Sequence, residues 1–329
     1  MKSFIEKFNY IKPPKSLSSA EIEIEIQALY DRLHLSVGRL ELMTGIKQRG
    51  FWPIGTMPSS IAAEAAKPLV DGDIDLLIHA SVCRDFLEPA TASVVHYKLG
   101  LSEHCEIFDL SNACLGVLSA IHLAQHLVEN KIKKKVLIVS GENSGPLLLP
   151  LIDSLKKNHQ INRQDFKKYL ASLTIGSAAI ALIISAQESS YKLNGSVSLT
   201  DSKASSLCQG GGNSQELFME TDSEELLKAG IILATKTFEQ FKVKFPSIQK
   251  IIPHQVGLVH REKIKLALGI SDIPDFSCFE TWGNTGSAAL PLTFMLAHEK
   301  DFFRSKDHLS WLGIGSGLVT HFYSLERLS

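Results

Sequence analysis

The strongest pattern in the chain runs from Glu106 to Lys131, EIFDLSNACLGVLSAIHLAQHLVENK. A short apolar run (Ile107, Phe108, Leu110) suits a buried strand, and the small residues Ser111, Asn112 and Ala113 follow it. Beyond them Leu115, Leu118, Ile121, His122, Ala124, Gln125 and Val128 recur at helical spacing. The pattern predicts a strand that hands over to a helix at Asn112–Cys114, with Cys114 in the helix's first turn.

The same rhythm extends along the chain. Ser18–Ser19 cap a helix through EIEIEIQALYDRLHL, where Ile22, Ile26, Leu29, Tyr30 and Leu33 share one face. Ser60–Leu69 reads as a helix broken by Pro68, Ile74–Val82 as a buried strand and Thr91–Leu99 as a helix. Val136–Ser140 and Ile175–Ser185 are further buried strands. Gln187–Asn213 is polar, ends in the run Gly210–Gly212, and reads as a strand or two and a loop. Helices then fall at Ser223–Phe245, Arg261–Leu268 and Ser287–Lys300, with strands at Lys250–Ile252, Leu309–Ile314 and Val319–Leu325. Buried strands alternating with helices predict an α/β layered fold. The two halves have a similar element order without residue-level repetition.

Composition narrows the class. At 329 residues, 44% hydrophobic and 21% charged, the chain suits two compact domains or one large one. A net charge of −1 favours neither a nucleic acid nor an anionic membrane as partner. The five cysteines (Cys83, Cys105, Cys114, Cys208, Cys278) are scattered, odd in number and without CxxC spacing. With no disulfide framework, a reducing cytoplasm is expected. The N-terminal MKSFIEKFNYIKPPKS lacks a secretory core, and the apolar run Ala178–Ala186 is too short for a transmembrane segment.

At its helix start Cys114 admits two readings. Unpaired N–H groups and the helix dipole would stabilise a thiolate there, or the residue is a small apolar plug. Three clusters accompany it: Ile251-Ile252-Pro253-His254-Gln255, Trp282-Gly283-Asn284-Thr285-Gly286-Ser287 and Gly313-Ile314-Gly315-Ser316-Gly317. Each alone is weak, since a lone histidine is usually structural and an NTG usually a turn; in the order Cys114, His254, Asn284, Gly315 they form a signature.

Other features read blandly. His122 and His126 stand one helical turn apart with no third ligand, so no metal is expected. Lys131–Lys135 reads as a solvated helix end rather than a dock for an acidic carrier protein. The glycine turn lies 12 residues from the C-terminus, too late for a dinucleotide fingerprint. Gly145–Leu155 suits an acyl channel, core packing or a dimer contact.

The four-part signature resembles the thiolase superfamily of Claisen-condensing enzymes, in its β-ketoacyl-acyl-carrier-protein synthase III branch. That branch carries its nucleophile in an ACxG-type segment, a histidine in PHQ, an asparagine in GNT and a GxGxG-like turn near the C-terminus. The resemblance implies a five-layered αβαβα thiolase-like fold of two similar halves, drawn at 1–187 with Cys114 and 188–329 with His254 and Asn284. It implies a homodimer as well. An acyl group held on Cys114 would face an oxyanion hole made by the backbone N–H groups of Cys114 and Ser316, while His254 and Asn284 stabilise an enolate.

The segment Arg84-Asp85-Phe86-Leu87-Glu88-Pro89-Ala90-Thr91-Ala92-Ser93 resembles one subgroup, the acyl-coenzyme A condensing enzymes of bacterial olefin biosynthesis (OleA). In those a glutamate before this proline is the base, acting across the dimer. Ser111–Leu115 and Thr44–Arg49 also look like that subgroup. The resemblance implies non-decarboxylative condensation of two fatty acyl thioesters to a β-keto product, with Glu88 the base in trans. The alternatives are a solvated loop carboxylate at Glu88, a decarboxylative synthase III that uses malonyl-acyl-carrier protein, and an inert scaffold on the same fold. No tightly bound cofactor is expected. Coenzyme A or acyl-carrier-protein thioesters are the expected substrates, with the carrier protein or downstream pathway enzymes as partners. Many synthase III enzymes carry docking arginines where Met43 and Val259 stand here, so Lys47, Arg49 and Arg261 (with His260) are the candidate replacements.

Overall fold

The computed structural model describes residues 1–212, 217–254 and 256–328. Gln255 of the PHQ segment and Asn213, the end of the polar stretch, lie outside the described residues. In the first part of the chain the strands are β1 (Phe4–Ile11), β2 (Lys15–Ser18), β3 (Gln48–Phe51), β4 (Leu76–Ala80), β5 (Glu106–Leu110), β6 (Lys135–Glu142) and β7 (Ala178–Ser185). After them come β8 (Tyr191–Thr200), β9 (Cys208–Gly212), β10 (Leu217–Thr221), β11 (Lys250–Pro253), β12 (His308–Gly315) and β13 (Val319–Arg327).

Nine of these strands form one sheet in the order β11-β12-β13-β8-β1-β7-β6-β4-β5. It consists of two half-sheets that meet where β1 pairs antiparallel with β8, Phe4 opposite Lys192 and Ile5 opposite Tyr191. The first half runs β5-β4-β6-β7-β1. The second runs β11-β12-β13-β8, and a parallel bridge between Ile251 and Asp275 extends its outer edge. Each half therefore has the same strand order, counted from its own first strand.

Alternation along the strands builds the layers. In β4, Leu76, Ile78 and Ala80 face an inner core while Leu77 faces an outer one, as the two-residue period of a strand requires. β7 divides the same way, with Ile180, Leu182 and Ile184 inward and Ala179, Ala181 and Ile183 outward. The inner core takes the helices Gly116–Glu129 and Ala289–Glu299, the second of which is buried almost all round. Pro58–Ala66 and Thr91–Leu99 cover the outer face of the first half-sheet; Ser223–Lys244 and Leu258–Leu268 cover that of the second. The result is the five-layered αβαβα arrangement.

A fourth cluster caps the sandwich, joining Ile22, Ile26 and Leu29 to Leu148, Ile152 and Leu155 of the helix Gly145–Lys157. That apolar run packs its buried face as core. The serine cap falls where the sequence predicts it, as a reciprocal box between Ser18 and Glu21, but the expected single helix is two, Ser19–Glu25 and Gln27–Arg32, parted at Ile26. Among the described residues no helix is long and apolar enough to cross a membrane.

β1 lies where the sequence predicts no element, while β8 is a strand expected within Gln187–Asn213. β1 alternates apolar residues with Glu6, Lys7 and Asn9, and β8 carries Asn194, Ser196 and Ser198 between its apolar positions. The polar residues of β8 are tolerated because they find partners: Ser196 Oγ bonds to His122 Nδ1 and His321 Nε2, and Ser198 Oγ donates to the Thr320 carbonyl. The His122 and His126 rings pack edge to face against each other, and among the described residues no metal-holding cluster of His, Cys, Asp or Glu occurs.

Phe294, fully buried in the middle layer, has its ring against Phe8, Tyr191, Phe303 and Trp311. Phe294→Ala is expected to destabilise the fold by about 3–5 kcal/mol in urea denaturation. Leu266→Ala, on the exposed face of an outer helix, should stay within about 0.5 kcal/mol of the parent.

Candidate active site

β4, β5 and β6 run parallel, as do β11 and β12, and the loops after their carboxyl ends carry the residues of the sequence signature. After β5 the chain turns sharply, with Ala113 in the left-handed region at φ 45°. A left-handed alanine costs about 1 kcal/mol, and here it sets Cys114 in a single 3-10 turn ahead of the helix Gly116–Glu129.

Three contacts bring distant segments to that turn. Leu115 lies against β12 so closely that a Cβ on Gly313 or Gly315 would come 2.6 or 2.9 Å from its side chain. Only glycine fits at these two positions, and the contact brings the Ser316 turn up to Cys114. The Ser287 hydroxyl accepts the Val117 N–H at 2.8 Å, tying the Asn284 loop to the helix that follows Cys114. His254 follows β11, and its N–H donates to the carbonyl of Leu312 on β12 at 3.0 Å.

Asn284 is buried and its backbone is stitched to another segment. Its N–H donates to Thr174 at 2.9 Å and its carbonyl accepts from Gly176 at 2.8 Å. Its Oδ1 accepts from the Gly286 N–H at 3.1 Å, so its amide NH2 is left without a partner among the described residues. His254 is buried with Nδ1 likewise unpartnered. Burial, with His260 nearby, lowers its pKa to about 3, so the imidazole is neutral. The buried His254 Nδ1 has no partner among the described residues, and a buried polar atom of that kind is one a ligand can satisfy.

Cys114 departs from the expectation of an activated thiolate. It is half-buried, and its pKa is pushed up to about 12, first by burial and then by the nearby Glu142 carboxylate and Cys208. The helix start is present, yet desolvation and a like charge outweigh its dipole. Cys208 was not singled out by sequence; its Sγ accepts from Ser316 Oγ and Thr221 Oγ1, each at 3.3 Å.

A cleft of about 1290 Å³ opens beside these residues. Cys114, His254, Asn284 and Ser316 do not line it, but Thr174, which accepts the Asn284 N–H, Thr221, which donates to Cys208, and His260, whose ring packs on that of His254, do. Met43 and Val259, where the arginines of synthase III enzymes were expected, line it too. Its cations are Arg39, Arg163, Lys167 and Lys168, all exposed, while Glu220, Asp222 and Glu224 also border it.

None of Lys47, Arg49 and Arg261 lines that cleft. Arg49 is fully buried, with its guanidinium on the Leu17 carbonyl and the Ser19 hydroxyl, which corrects its expected docking role. Arg261 is bound to Asp275 at 2.6 Å, and Lys47 is exposed elsewhere. Short-range reading chose cations near the signature in sequence; the fold supplies others from the helices Arg39–Thr44 and Arg163–Tyr169. Glu88 lies on the exposed loop after β4 and makes no hydrogen bond or ion pair to a described residue. Phe86 and Leu87 beside it are exposed, Leu87 at 92%.

The fold and the site together define a condensing acyltransferase of the thiolase superfamily. The model of 3-oxoacyl-(acyl-carrier-protein) synthase III matches residues 108–148, and the model of that enzyme's C-terminal part matches residues 238–325. An acyl-CoA:acyl-CoA alkyltransferase of Shewanella oneidensis is 35% identical, with 96% of each chain covered. An enzyme of the same name from Xanthomonas campestris is 32% identical over 94% of each. A solved structure of Xanthomonas campestris OleA, a cysteine-to-serine variant with bound lauric acid and lauroyl-CoA, superposes with a TM-score of 0.92 at 30% identity, covering 99% of both chains. This chain belongs to the synthase III family, and within it is similar to the acyl-CoA:acyl-CoA alkyltransferases.

With its pKa near 12, Cys114 should react with iodoacetamide more slowly than a free cysteine at pH 8. Because the thiolate fraction keeps growing below that pKa, labelling followed by intact mass should rise through pH 10 without a plateau. A plateau near pH 8 would contradict the burial argument.

Proposed function

We propose that this chain condenses two fatty acyl thioesters without decarboxylation, giving a 2-alkyl-3-ketoacyl thioester through an acyl-Cys114 intermediate. The reading is carried by the meeting of the Cys114 turn with the loops of Asn284 and Ser316 and with the strand pair that sets His254, whose buried Nδ1 stands unpartnered. The thiol of Cys114 attacks the first thioester carbonyl and loses its proton as the carrier thiol leaves. Backbone N–H groups of Cys114 and Ser316 hold the tetrahedral oxyanion. The second thioester then loses an α-proton to Glu88, and its enolate oxygen is held by His254 and Asn284. The enolate carbon attacks acyl-Cys114, the new C–C bond forms, and the cysteine sulfur departs.

Glu88 comes from the partner of a homodimer. The exposure of Phe86 and Leu87 around it supports a covered loop, since large apolar side chains in a row seldom face water. Arg39, Arg163, Lys167 and Lys168 at the cleft take the phosphates of the thioester carrier, coenzyme A or the prosthetic group of a carrier protein. The five free thiols suit a reducing cytoplasm. The matching strand orders support dividing the chain into halves at 187/188.

Purified protein given long-chain acyl-CoA alone should form the β-keto product. If product appears only when malonyl-acyl-carrier protein is added, the decarboxylative reading replaces this one. Glu88→Gln should still gain acyl mass on Cys114 while condensation falls about 10²- to 10⁴-fold. Asn284→Ala should lose about 2–4 kcal/mol of transition-state stabilisation, read from kcat. Arg39→Ala combined with Arg163→Ala should raise KM for acyl-CoA and leave kcat near the parent.

A further inference from the structure

Glu142, the last residue of β6, is a carboxylate only 3% exposed, and no lysine or arginine pairs with it among the described residues. A buried anion is tolerated only where hydrogen bonds replace its lost hydration. Here Oε1 accepts from the Val82 N–H at 2.9 Å and the Ser287 N–H at 2.9 Å, while Oε2 accepts from the Cys83 N–H at 3.2 Å. Val82 and Cys83 open the loop that carries Glu88, and Ser287 closes the loop that carries Asn284. Ser287 also accepts the Val117 N–H, so the chain of bonds continues into the helix behind Cys114. Packing repeats the message: a Cβ on Gly286 would come 3.0 Å from the Glu142 carboxyl carbon.

We propose that Glu142 is a positioning residue for the condensation, its carboxylate holding the Glu88 loop, the Asn284 loop and, through Ser287, the Cys114 helix in one fixed arrangement. The proposal rests on the roles given above to Cys114, Asn284 and Glu88. No step of the reaction uses Glu142, whose two oxygens bond to both loops at once. The titratable groups facing it are the thiols of Cys83 and Cys114, and Cys114 faces Cys208 as well. Burial raises both Cys83 and Cys114, and the Glu142 charge adds to each, so the carboxylate also keeps the resting nucleophile protonated.

Glu142→Gln and Glu142→Asp separate charge from reach. The glutamine keeps the length but removes the charge and sets an NH2 group against a backbone N–H. Its condensation of long-chain acyl-CoA should fall about 10²-fold. Its iodoacetamide labelling of Cys114 should move to lower pH by about one unit. The aspartate keeps the charge but cannot reach both loops. Condensation should fall about tenfold or more while the labelling curve stays near that of the parent. A purely structural lesion would move the labelling of both variants alike. Should Glu142→Gln not fold, Ser287→Ala, which cuts only the tie to Val117, is expected to lower condensation about tenfold with labelling unchanged. Parent-level condensation in folded Glu142→Gln, or in Ser287→Ala, overturns the proposal, as does a Glu142→Gln labelling curve that coincides with the parent. Product formation by Cys114→Ala would instead overturn the nucleophile assignment, whatever Glu142 does.

Discussion

Leu115 pressed against a strand end that admits only glycine is the contact on which the site depends. It fixes the Cys114 turn against β12, and β12 in turn sets the register of β11 through the pair Pro253 and Leu312. Because His254 is the next residue along β11, its ring position follows from a ladder of backbone bonds rather than from a flexible loop. The Ser287–Val117 bond does the same for the Asn284 loop from the other side. Segments 140 and 170 residues from Cys114 are thereby tied to its turn and helix, directly or through β12. Precision of that kind matters in catalysis, where a misplacement of about 1 Å can lower a rate about a hundredfold.

The electrostatics of the site favour dipoles over ions. Cys114 is held as a thiol and His254 as a neutral ring, in both cases chiefly by burial. A neutral imidazole and an amide offer hydrogen bonds that strengthen only when negative charge appears on a substrate oxygen. The cations of the neighbouring cleft and Glu88 are all exposed. Glu142 is the exception, and its three N–H partners account for its tolerance in the interior.

Much of this was legible in the sequence. The helical spacing from Leu115 to Val128 and the strand before it fall where expected, and so does the helix Thr91–Leu99. β1 was not legible, because Glu6, Lys7 and Asn9 interrupt its apolar residues and leave no clean period. β8 was expected only as a strand somewhere in a polar stretch, since the partners of Ser196 and Ser198 (His122, His321 and Thr320) come from remote segments. Arg49 drew attention as a cation near a glycine turn, and nothing local announces that Leu17 and Ser19 enclose it. The helix start at Cys114 was visible, while the burial and the Glu142 charge that raise its pKa were not. The final residue of a buried strand seldom attracts notice, which is how Glu142 escaped.

Subunit complementation tests the central claim most directly, because the account requires one chain's sulfur to work with the other chain's carboxylate. Cys114→Ala and Glu88→Gln proteins, each inactive alone, are mixed, allowed to exchange subunits and assayed with long-chain acyl-CoA. The account predicts that activity returns on mixing, since each heterodimer holds one site with both groups intact. Activity that stays at the level of the separate variants, with heterodimers verified by native mass, would contradict it.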